Sequence, residues 1–489
     1  MYLKYLANFL RDKVNSIISS LQFIQLTFII LRNDISTFND KNMEDLKNKV
    51  IQNGPISLKF MQWYLTKKNM DNEDGQYDNI INKFDNIFDN CPFHSLDTSK
   101  KMFLDDYGMD MSEVIDLDSI KEIGSGSIGQ VYKANLLDGT EVAIKIKHPN
   151  IIGITSGQFY VINTFIYLQK IKWLKNLLHL HIDIEDFMYN LLLQLDFTNE
   201  TFNTLKFSKY LADNELVIVP KVLYYSKDTI ISEYQPGEDF DSISLYNKSK
   251  VGLNFYCLIL KMNLFLDYTH GDLHKKNWKV RKCGKDYKIV LYDFGLVFTT
   301  HQVDNNRLLW HSFETNNTEG VLKCLPHMLV TDDKKVPKIP ESLTDAINEI
   351  FAEKCSSSNI VNSLIQILNK EKLYINRTFL NILIVITLIE NVFVEIDFVN
   401  RYDPPNMDKR LRNITSRYGD IYAFCKKYSF YGDVEEYVKE EYNKYQIENL
   451  FVNYNSKLEF DSPLDLDDPL SLDDPLSLDD PLSLDDPLS

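Results

Sequence analysis

The stretch that most constrains this chain is His270–Gly295, which reads HGDLHKKNWKVRKCGKDYKIVLYDFG. Asp272 and Asn277 stand five positions apart in a polar segment that predicts a loop. Two short runs then predict a hairpin-like pair of strands, and Asp293 follows the second strand inside Asp-Phe-Gly. Carboxylate and side-chain amide oxygens are hard donors, the kind that Mg²⁺ selects. The loop sequence alone is a modest signal. An Asp-Phe-Gly placed directly after a strand makes it specific.

A second stretch, IKEIGSGSIGQVYKANLLDGTEVAIKIK, changes the hydrophobic period to two from Ser119. It predicts strands at Ile120–Ile123, Val131–Leu136 and Glu141–Lys147, the last two joined by a two-residue turn at Asp138-Gly139. Gly124, Gly126 and Gly129 spell G-x-G-x-x-G. A dinucleotide fold uses those letters to open a helix, whereas here they open a strand that turns back. The hairpin therefore reads as a lid over nucleotide phosphates. Gly124, Ser125, Gly126, Ser127 and Gly129 would approach them through backbone amides, where side chains would block the approach. Val131 and Ala143 offer apolar surface to a purine, and Lys145 reaches the α- and β-phosphates. The bland alternative is a Gly-rich turn beside a solvated lysine.

Together the two stretches resemble the glycine loop, catalytic loop and metal-binding turn of protein-kinase-like enzymes. That resemblance makes Asn277 and Asp293 the ligands that hold Mg²⁺ against phosphate oxygens. It makes Asp272 the group that takes a proton from, or orients, the attacking hydroxyl or water.

With 489 residues the chain can form two or more packed units. Its 44% apolar and 25% charged residues are ordinary for a soluble globular protein. Of the net charge of −17, ten Asp fall in residues 461–489, leaving about −7 for the rest. Neither part is basic enough for nucleic-acid binding by bulk electrostatics. The six cysteines form no C-x-x-C pair, which argues against a zinc site or disulfide framework and fits a reducing compartment. Unconnected core or surface thiols are expected.

In chain order, residues 1–42 form an N-terminal helical segment. Over residues 1–32 the apolar groups, from Leu3 and Leu6 to Ile17 and Leu21, recur at mostly helical spacing. Leu21–Leu31, broken by Gln22 and Gln25, falls short of the roughly 20 apolar residues of a spanning helix. No cleavage site follows, so secretion is not expected. Packing on the protein's own core competes with a membrane-surface role, for which Lys4, Arg11 and Lys13 would flank the apolar face. Residues 43–118 are a helical extension with a Gly54-Pro55 start signal, a polar loop at 69–79 and two short helices about Cys91-Pro92. Residues 119–235 form a small lobe with a helical insertion, in which Asp196 and Glu200 are expected on one helix face. Glu200 is the candidate partner of Lys145, against the alternative of a plain surface acid. Leu216–Ile231 predicts two strands about Pro220, and Pro236-Gly237 a turn between lobes. Residues 236–457 form a helical lobe, with an apolar helix at Val251–Tyr268 and a buried one at Leu380–Leu388. Residues 458–489 repeat S-L-D-D-P-L and are expected to be a disordered acidic tail.

These residues resemble the UbiB/aarF-domain (ADCK) atypical kinases over roughly residues 40–400. Three features separate them from ordinary protein kinases. GPISLKFMQ at 54–62 is similar to the family's K-x-G-Q helix, with Lys59 and Gln62 in place. SIGQVYKA at 127–134, followed by VAIKIKHPNI, is close to its nucleotide loop. LDFTNETFN at 195–203 matches its acidic helix. No A-P-E segment follows Asp-Phe-Gly. The resemblance implies an α+β, two-lobed kinase-like fold with the helical extension lying across the active site. It implies ATP and Mg²⁺ as cofactors and a role in lipid, notably ubiquinone, metabolism. Residue by residue, it assigns Lys145 and Glu200 to the phosphate-binding pair, Asp272 to the base, and Asn277 and Asp293 to the metal. Lys59, Gln62 and Asp196 match the occluding, regulatory motifs.

Departures from the family are specific. Gly124-Ser125-Gly126 replaces a run of alanines, Met61 replaces the K-x-G-Q glycine, and Gln194 replaces the first acid of the acidic helix. The last change removes a partner for Lys59, for which Asp196 could compensate. Gly271 stands where regulated kinases carry Arg, which argues against control by a phosphorylated activation loop. His274 stands where they carry Lys, leaving γ-phosphate neutralisation to Mg²⁺, Lys275 or Lys276, unless those lysines are merely solvated.

The leading expectation is an ATP- and Mg²⁺-dependent phosphoryl-transfer enzyme, an ATPase or atypical kinase with an unknown acceptor. A serine/threonine protein kinase and a nucleotide-binding pseudokinase scaffold are the alternatives. Expected partners are ATP and a lipid or membrane surface, not nucleic acid, in an intracellular setting.

Overall fold

The computed structural model describes residues 2–32, 35–70, 80, 83–84, 91–149, 151, 158–161, 164, 191–266, 268–299, 303–315, 317–330, 339–352, 363–364, 367–368, 373–375, 419–441 and 443. The expected helix at Leu380–Leu388, the acidic tail at 458–489, most of the insertion over 152–190 and residues 71–79 of the loop expected at 69–79 lie outside the described residues, while positions 69 and 70 of that loop are helical instead. The chain divides into two compact units. One comprises Met1–Lys209, Pro220–Gln235 and Phe294–Leu296, the other Tyr210–Val219, Pro236–Asp293 and Val297–Ser489.

The first unit opens with three helices, α1 (Tyr2–Arg32), α2 (Asp40–Gln52) and α3 (Pro55–Met70). Phe23, Leu26 and Ile30 of α1 recur at helical spacing and bury against Met43, Leu46 and Val50 of α2 and Phe60 and Met61 of α3. Packing on the protein's own core therefore accounts for one face of α1. The other face stays open: Ile17 is 61% exposed, Leu21 64% and Phe28 61%. Among the described residues no helix is long and apolar enough to cross a membrane.

Helix α4 (Leu96–Tyr107) is started by Ser95, whose side chain accepts from the Thr98 amide, and stopped by Gly108 in the left-handed conformation at φ 70°. An antiparallel five-stranded sheet follows, in the order β1 (Ile115–Ser125), β2 (Gly129–Leu136), β3 (Glu141–Lys147), β6 (Thr229–Glu233), β5 (Val222–Tyr225). The first strand starts earlier than the sequence predicts, because the alternation continues upstream to Ile115. The β2–β3 connection also differs. Leu136 N–H bonds Thr140 O at 2.9 Å, so three residues form the loop, with Gly139 at φ 88°. Along β3, Val142, Ile144 and Ile146 are buried against Phe103, Met111 and Tyr132. The register Val131↔Lys145 places Val131, Ala143 and Lys145 together on the opposite face.

Helix α5 (Phe197–Tyr210) completes the first unit. The stretch Leu216–Ile231 holds three strands rather than two: β4 (Val217–Ile218), β5 and β6. Pro220 separates them, since it has no N–H to donate to a ladder.

In the second unit, β4 pairs parallel with β9 (Asp286–Leu291), which forms an antiparallel hairpin with β8 (Trp278–Cys283) around Gly284 at φ 63°. Helix α6 runs over Leu245–Leu264, earlier than expected, and Tyr268–His270 is the short strand β7 instead of the end of that helix. From Val251 onward nearly every α6 side chain is buried, so this helix is enclosed on all sides. The chain after Gly295 is not wholly helical. β10 (Val297–Thr299) pairs with β7, and β11 (Leu329–Val330) pairs with β12 (Tyr374–Ile375). Helices α7 (Val303–Thr315), α8 (Thr318–Met328) and α9 (Glu341–Ala352) bury Leu309, Val321, Leu325, Leu343 and Ile347 together. The described cysteines are free thiols as expected, and two of them, Cys257 and Cys425, lie with their sulfurs 3.6 Å apart in the core of this unit. Burial pushes the Cys257 thiol well up, which keeps it an inert core group.

Candidate functional site

In the first unit, strand β3 presents Lys145 to α5. Its Nζ lies 2.7 Å from both carboxylate oxygens of Glu200. The Glu200 side chain is 8% exposed and that of Lys145 is 21% exposed. Glu200 occupies the first turn of α5, where the helix dipole favours a negative charge. Asp196 does not share its face as expected. It precedes the helix and accepts from the Thr198 amide at 3.0 Å and from the Thr198 hydroxyl. The competing physics is capping: an Asp before a helix satisfies an orphan amide. Farther along α5, Asn203 Nδ2 donates to Phe294 O at 2.9 Å, and the Phe207 ring lies 5.2 Å from that of Phe294. The Phe of Asp-Phe-Gly is thus held by the helix that carries Glu200.

The three glycines have different reasons. A Cβ on Gly129 would lie 2.7 Å from Ile146 O and 3.2 Å from the Phe197 ring, so the fold itself requires glycine there. A Cβ on Gly124 would meet nothing within 4 Å, and one on Gly126 only Gly129 O at 3.9 Å. Neither residue takes a positive φ. The fold leaves a cradle at these two positions that a Cβ would fill, which fits phosphate oxygens approaching the backbone. Ser125 and Ser127 beside them are buried.

In the second unit, the β8–β9 register positions the oxygen donors. Trp278 pairs with Leu291, and Tyr292 N–H donates to Asn277 O at 2.9 Å. Asn277 and Asp293 therefore emerge at the same open end of the hairpin. Asn277 Nδ2 donates to Asp272 O at 2.9 Å, which fixes the amide and leaves its Oδ1 as the remaining acceptor. Two hard oxygens suit Mg²⁺, which takes one or two protein ligands and completes its shell with phosphates and water. Among the described residues no group of three or more His, Cys, Asp or Glu that could hold a metal is formed.

Asp272 is half-buried, with His274 Nε2 3.6 Å from its Oδ1 and its amide donating to His270 Nδ1 at 3.2 Å. Sequence reasoning did not single out His270. Burial pushes its imidazole down, against the opposing pull of the Asp272 and Asp293 carboxylates. Its signal was its place two residues before Asp272. Lys275 pairs with Asp241 at 3.0 Å, a use the sequence did not suggest, and Lys276 is exposed. Gly271 is glycine for a packing reason: a Cβ there would lie 2.1 Å from the Phe298 ring.

The two K-x-G-Q-like positions, Lys59 and Gln62, are half-buried on α3. Met61, in place of the glycine, is fully buried in the helical core, which contributes about 2 kcal/mol. Among the described residues Lys59 forms no ion pair with Asp196, whose carboxylate caps α5 instead.

The fold is α+β and kinase-like. Residues 86–325 match the ABC1 atypical kinase-like domain. The chain is 28% identical over 246 residues to a probable serine/threonine-protein kinase abkC of Dictyostelium discoideum, covering 48% of this chain and 34% of that one. It is 27% identical over 214 residues to the AarF domain-containing protein kinase 1 of Gallus gallus, covering 40% and 39% respectively. To the ABC1 family protein MCP2 homolog of Schizosaccharomyces pombe it is 28% identical over 229 residues, covering 42% and 40%. Residues 86–325 thus form a domain of the ABC1, or UbiB/aarF-domain, family of atypical kinases. The chain spans between about a third and two fifths of the length of these relatives. The matched domain is narrower than the span suggested by the motifs, and Lys59 and Gln62 lie outside it.

Proposed function

We propose that this protein is an ATP- and Mg²⁺-dependent phosphoryl-transfer enzyme, hydrolysing ATP or passing its γ-phosphoryl group to an acceptor. The observation that carries this is the Lys145–Glu200 pair, both oxygens at 2.7 Å, which holds the ammonium extended from β3. Lys145 and the Gly124–Gly129 loop would take the phosphates, and Val131 and Ala143 the purine. Asn277 and Asp293 would hold Mg²⁺, which supplies positive charge against the developing phosphoryl charge. Asp272 would accept the proton of the attacking hydroxyl or water.

Gly126→Ala tests the phosphate role cleanly, because the chain itself leaves room for that methyl group. The expected outcome is an unchanged melting temperature with ADP and ATP affinity weakened by about tenfold, measured by calorimetry with Mg²⁺ present. Equal affinity in variant and wild type would remove the glycine loop from the reading.

The proposal extends to location: an intracellular lipid surface, met by the open face of α1 and supplying the acceptor or its neighbourhood. Ile17, Leu21 and Phe28 support it, because residues 14–31 carry no charge while Lys4, Arg11 and Lys13 precede them on the same helix. Flotation with anionic vesicles should bring the wild type up and leave Leu21→Glu/Phe28→Glu in solution. Flotation of both, or of neither, would discard this role.

A further inference from the structure

A polar chain in the first unit, with Ser99, Gln130 and Tyr132 buried and His94 and His148 half-buried, runs from the segment before α4 to the glycine loop, and sequence reasoning gave neither histidine a role. His94 Nδ1 lies 3.0 Å from His148 Nδ1, and His148 Nε2 lies 2.9 Å from Gly126 O. On the other side, His94 Nε2 lies 2.8 Å from Ser99 Oγ, which lies 2.8 Å from Tyr132 OH. Tyr132 OH in turn accepts from Gln130 Nε2. We propose that His94 and His148 are positioning residues, the centre of a one-way hydrogen-bond relay that fixes the glycine loop through the Gly126 carbonyl. The function of the relay rests on the reading that this loop receives nucleotide phosphates.

The direction of the relay follows from its ends. A carbonyl only accepts, so His148 Nε2 carries the proton facing Gly126 O. In a neutral imidazole the other nitrogen is then an acceptor, so His94 Nδ1 must donate to His148 Nδ1. His94 Nε2 is therefore an acceptor and takes the Ser99 proton, and Ser99 takes that of Tyr132. From the far end, an amide nitrogen only donates, so Gln130 gives to Tyr132 and Tyr132 passes its one proton onward. Both ends impose the same direction. The Gln130 amide is itself fixed, because its Oε1 accepts from His94 N–H at 2.8 Å and its Nε2 donates to His94 O at 3.0 Å.

This arrangement disfavours charge on either ring: a proton on His148 Nδ1 would face the His94 Nδ1–H, and one on His94 Nε2 would face the Ser99 hydroxyl proton and reverse that step of the relay. Burial meets that need. It pushes His94 down to about 4, with the neighbouring imidazole adding to the effect, and pushes His148 down against its bond to Gly126 O. Tyr132 on β2 is the other titratable group in the relay, and Lys147 beside His148 is engaged by Asp228. Backbone bonds reinforce the clasp: Cys91 N–H to Ser125 O and His148 N–H to Ile128 O, both at 2.9 Å. The relay thus secures the Gly126 carbonyl, while the Gly126 N–H bonds Gly129 O at 3.0 Å within the loop.

The test is ¹⁵N spectroscopy of the imidazoles in the full chain, with hydrogen exchange at the Gly126 amide. At neutral pH the relay requires His94 as the Nδ1–H tautomer and His148 as the Nε2–H tautomer, both uncharged. The same tautomer at both rings, or charge on either, would overturn it. His148→Ala should speed exchange at Gly126 by about tenfold and raise nucleotide KM more than it changes kcat. His148→Gln, whose amide can donate to the same carbonyl, should recover most of the protection. Lack of recovery with the fold intact would contradict the positioning role. The tautomers are read without nucleotide, so a wild type that binds none would sink the proposed function and leave the relay to be judged alone. Both rings titrate below the ordinary 6.5 when folded, so the clasp is intact above that pH and is lost as pH falls toward about 4.

Discussion

Asp293→Asn is expected to lower phosphoryl transfer by on the order of 10²- to 10³-fold while leaving ATP bound. The substitution keeps the size and removes the charge. Asp293 lies two positions after the end of β9, and the pairing of that strand with β8 and β4 involves none of its side-chain atoms. The fold should therefore persist, as a melting curve would show. What is lost is one of the two hard oxygens at the end of the hairpin, and with it the anionic ligand that holds Mg²⁺ most strongly. Asn277 alone, a neutral amide, cannot replace it. Single-turnover measurements over a range of Mg²⁺ should show the remaining rate rising at higher metal. Equal rates in both proteins would remove Asp293 from the chemistry. A wild type that binds nucleotide without turning it over would favour the scaffold alternative.

Lys145→Met should produce the larger loss of stability, and Glu200→Gln the smaller, although both break the same pair. The reason is the difference in burial. Removing the ammonium leaves a carboxylate with a side chain only 8% exposed and no cation at 2.7 Å. Losing that cation beside a buried carboxylate costs about 3 kcal/mol, the lower end of the range for broken buried pairs, because Lys145 itself reaches solvent. In Glu200→Gln the ammonium, with 21% of its side chain exposed, keeps part of its hydration and can still donate to the amide oxygen. Denaturant melts of the two single variants and the double variant would separate the effects, with the double less destabilised than the two singles added together. Additive losses would mean the two side chains do not act as a pair. Nucleotide binding should weaken in both single variants, because Lys145→Met removes the ammonium and Glu200→Gln loosens its position.

Much of this was legible in the sequence, and the limits are physical. The strand pair after Asn277 and the sheet from β1 to β3 were readable because period-two alternation, Gly284 and Gly139 mark them locally. Lys145 and Glu200, 55 residues apart, could be matched only through a family motif, because no local signal joins them. Asp196 was misplaced on a helix face because spacing by one turn looks the same whether a residue lies within the helix or caps it. The distinct reasons for Gly124, Gly126 and Gly129 were invisible, since steric demand on a glycine is set by residues distant in sequence, such as Ile146 and Phe197. The same holds for Gly271 under Phe298 and for the His94–His148 contact, which spans 54 positions. Short strands such as β7 and β10 carry only three residues each, too few for a period to show.

The most direct measurement of the central claim is the fate of the γ-phosphoryl group. The purified full chain would be incubated with Mg²⁺ and γ-labelled ATP, and the label followed into free phosphate, protein and extracted lipid. Phosphoryl transfer predicts Mg²⁺-dependent label in one of these fractions, with free phosphate marking hydrolysis and lipid or protein marking the acceptor. Saturable nucleotide binding with all label still on ATP would contradict it.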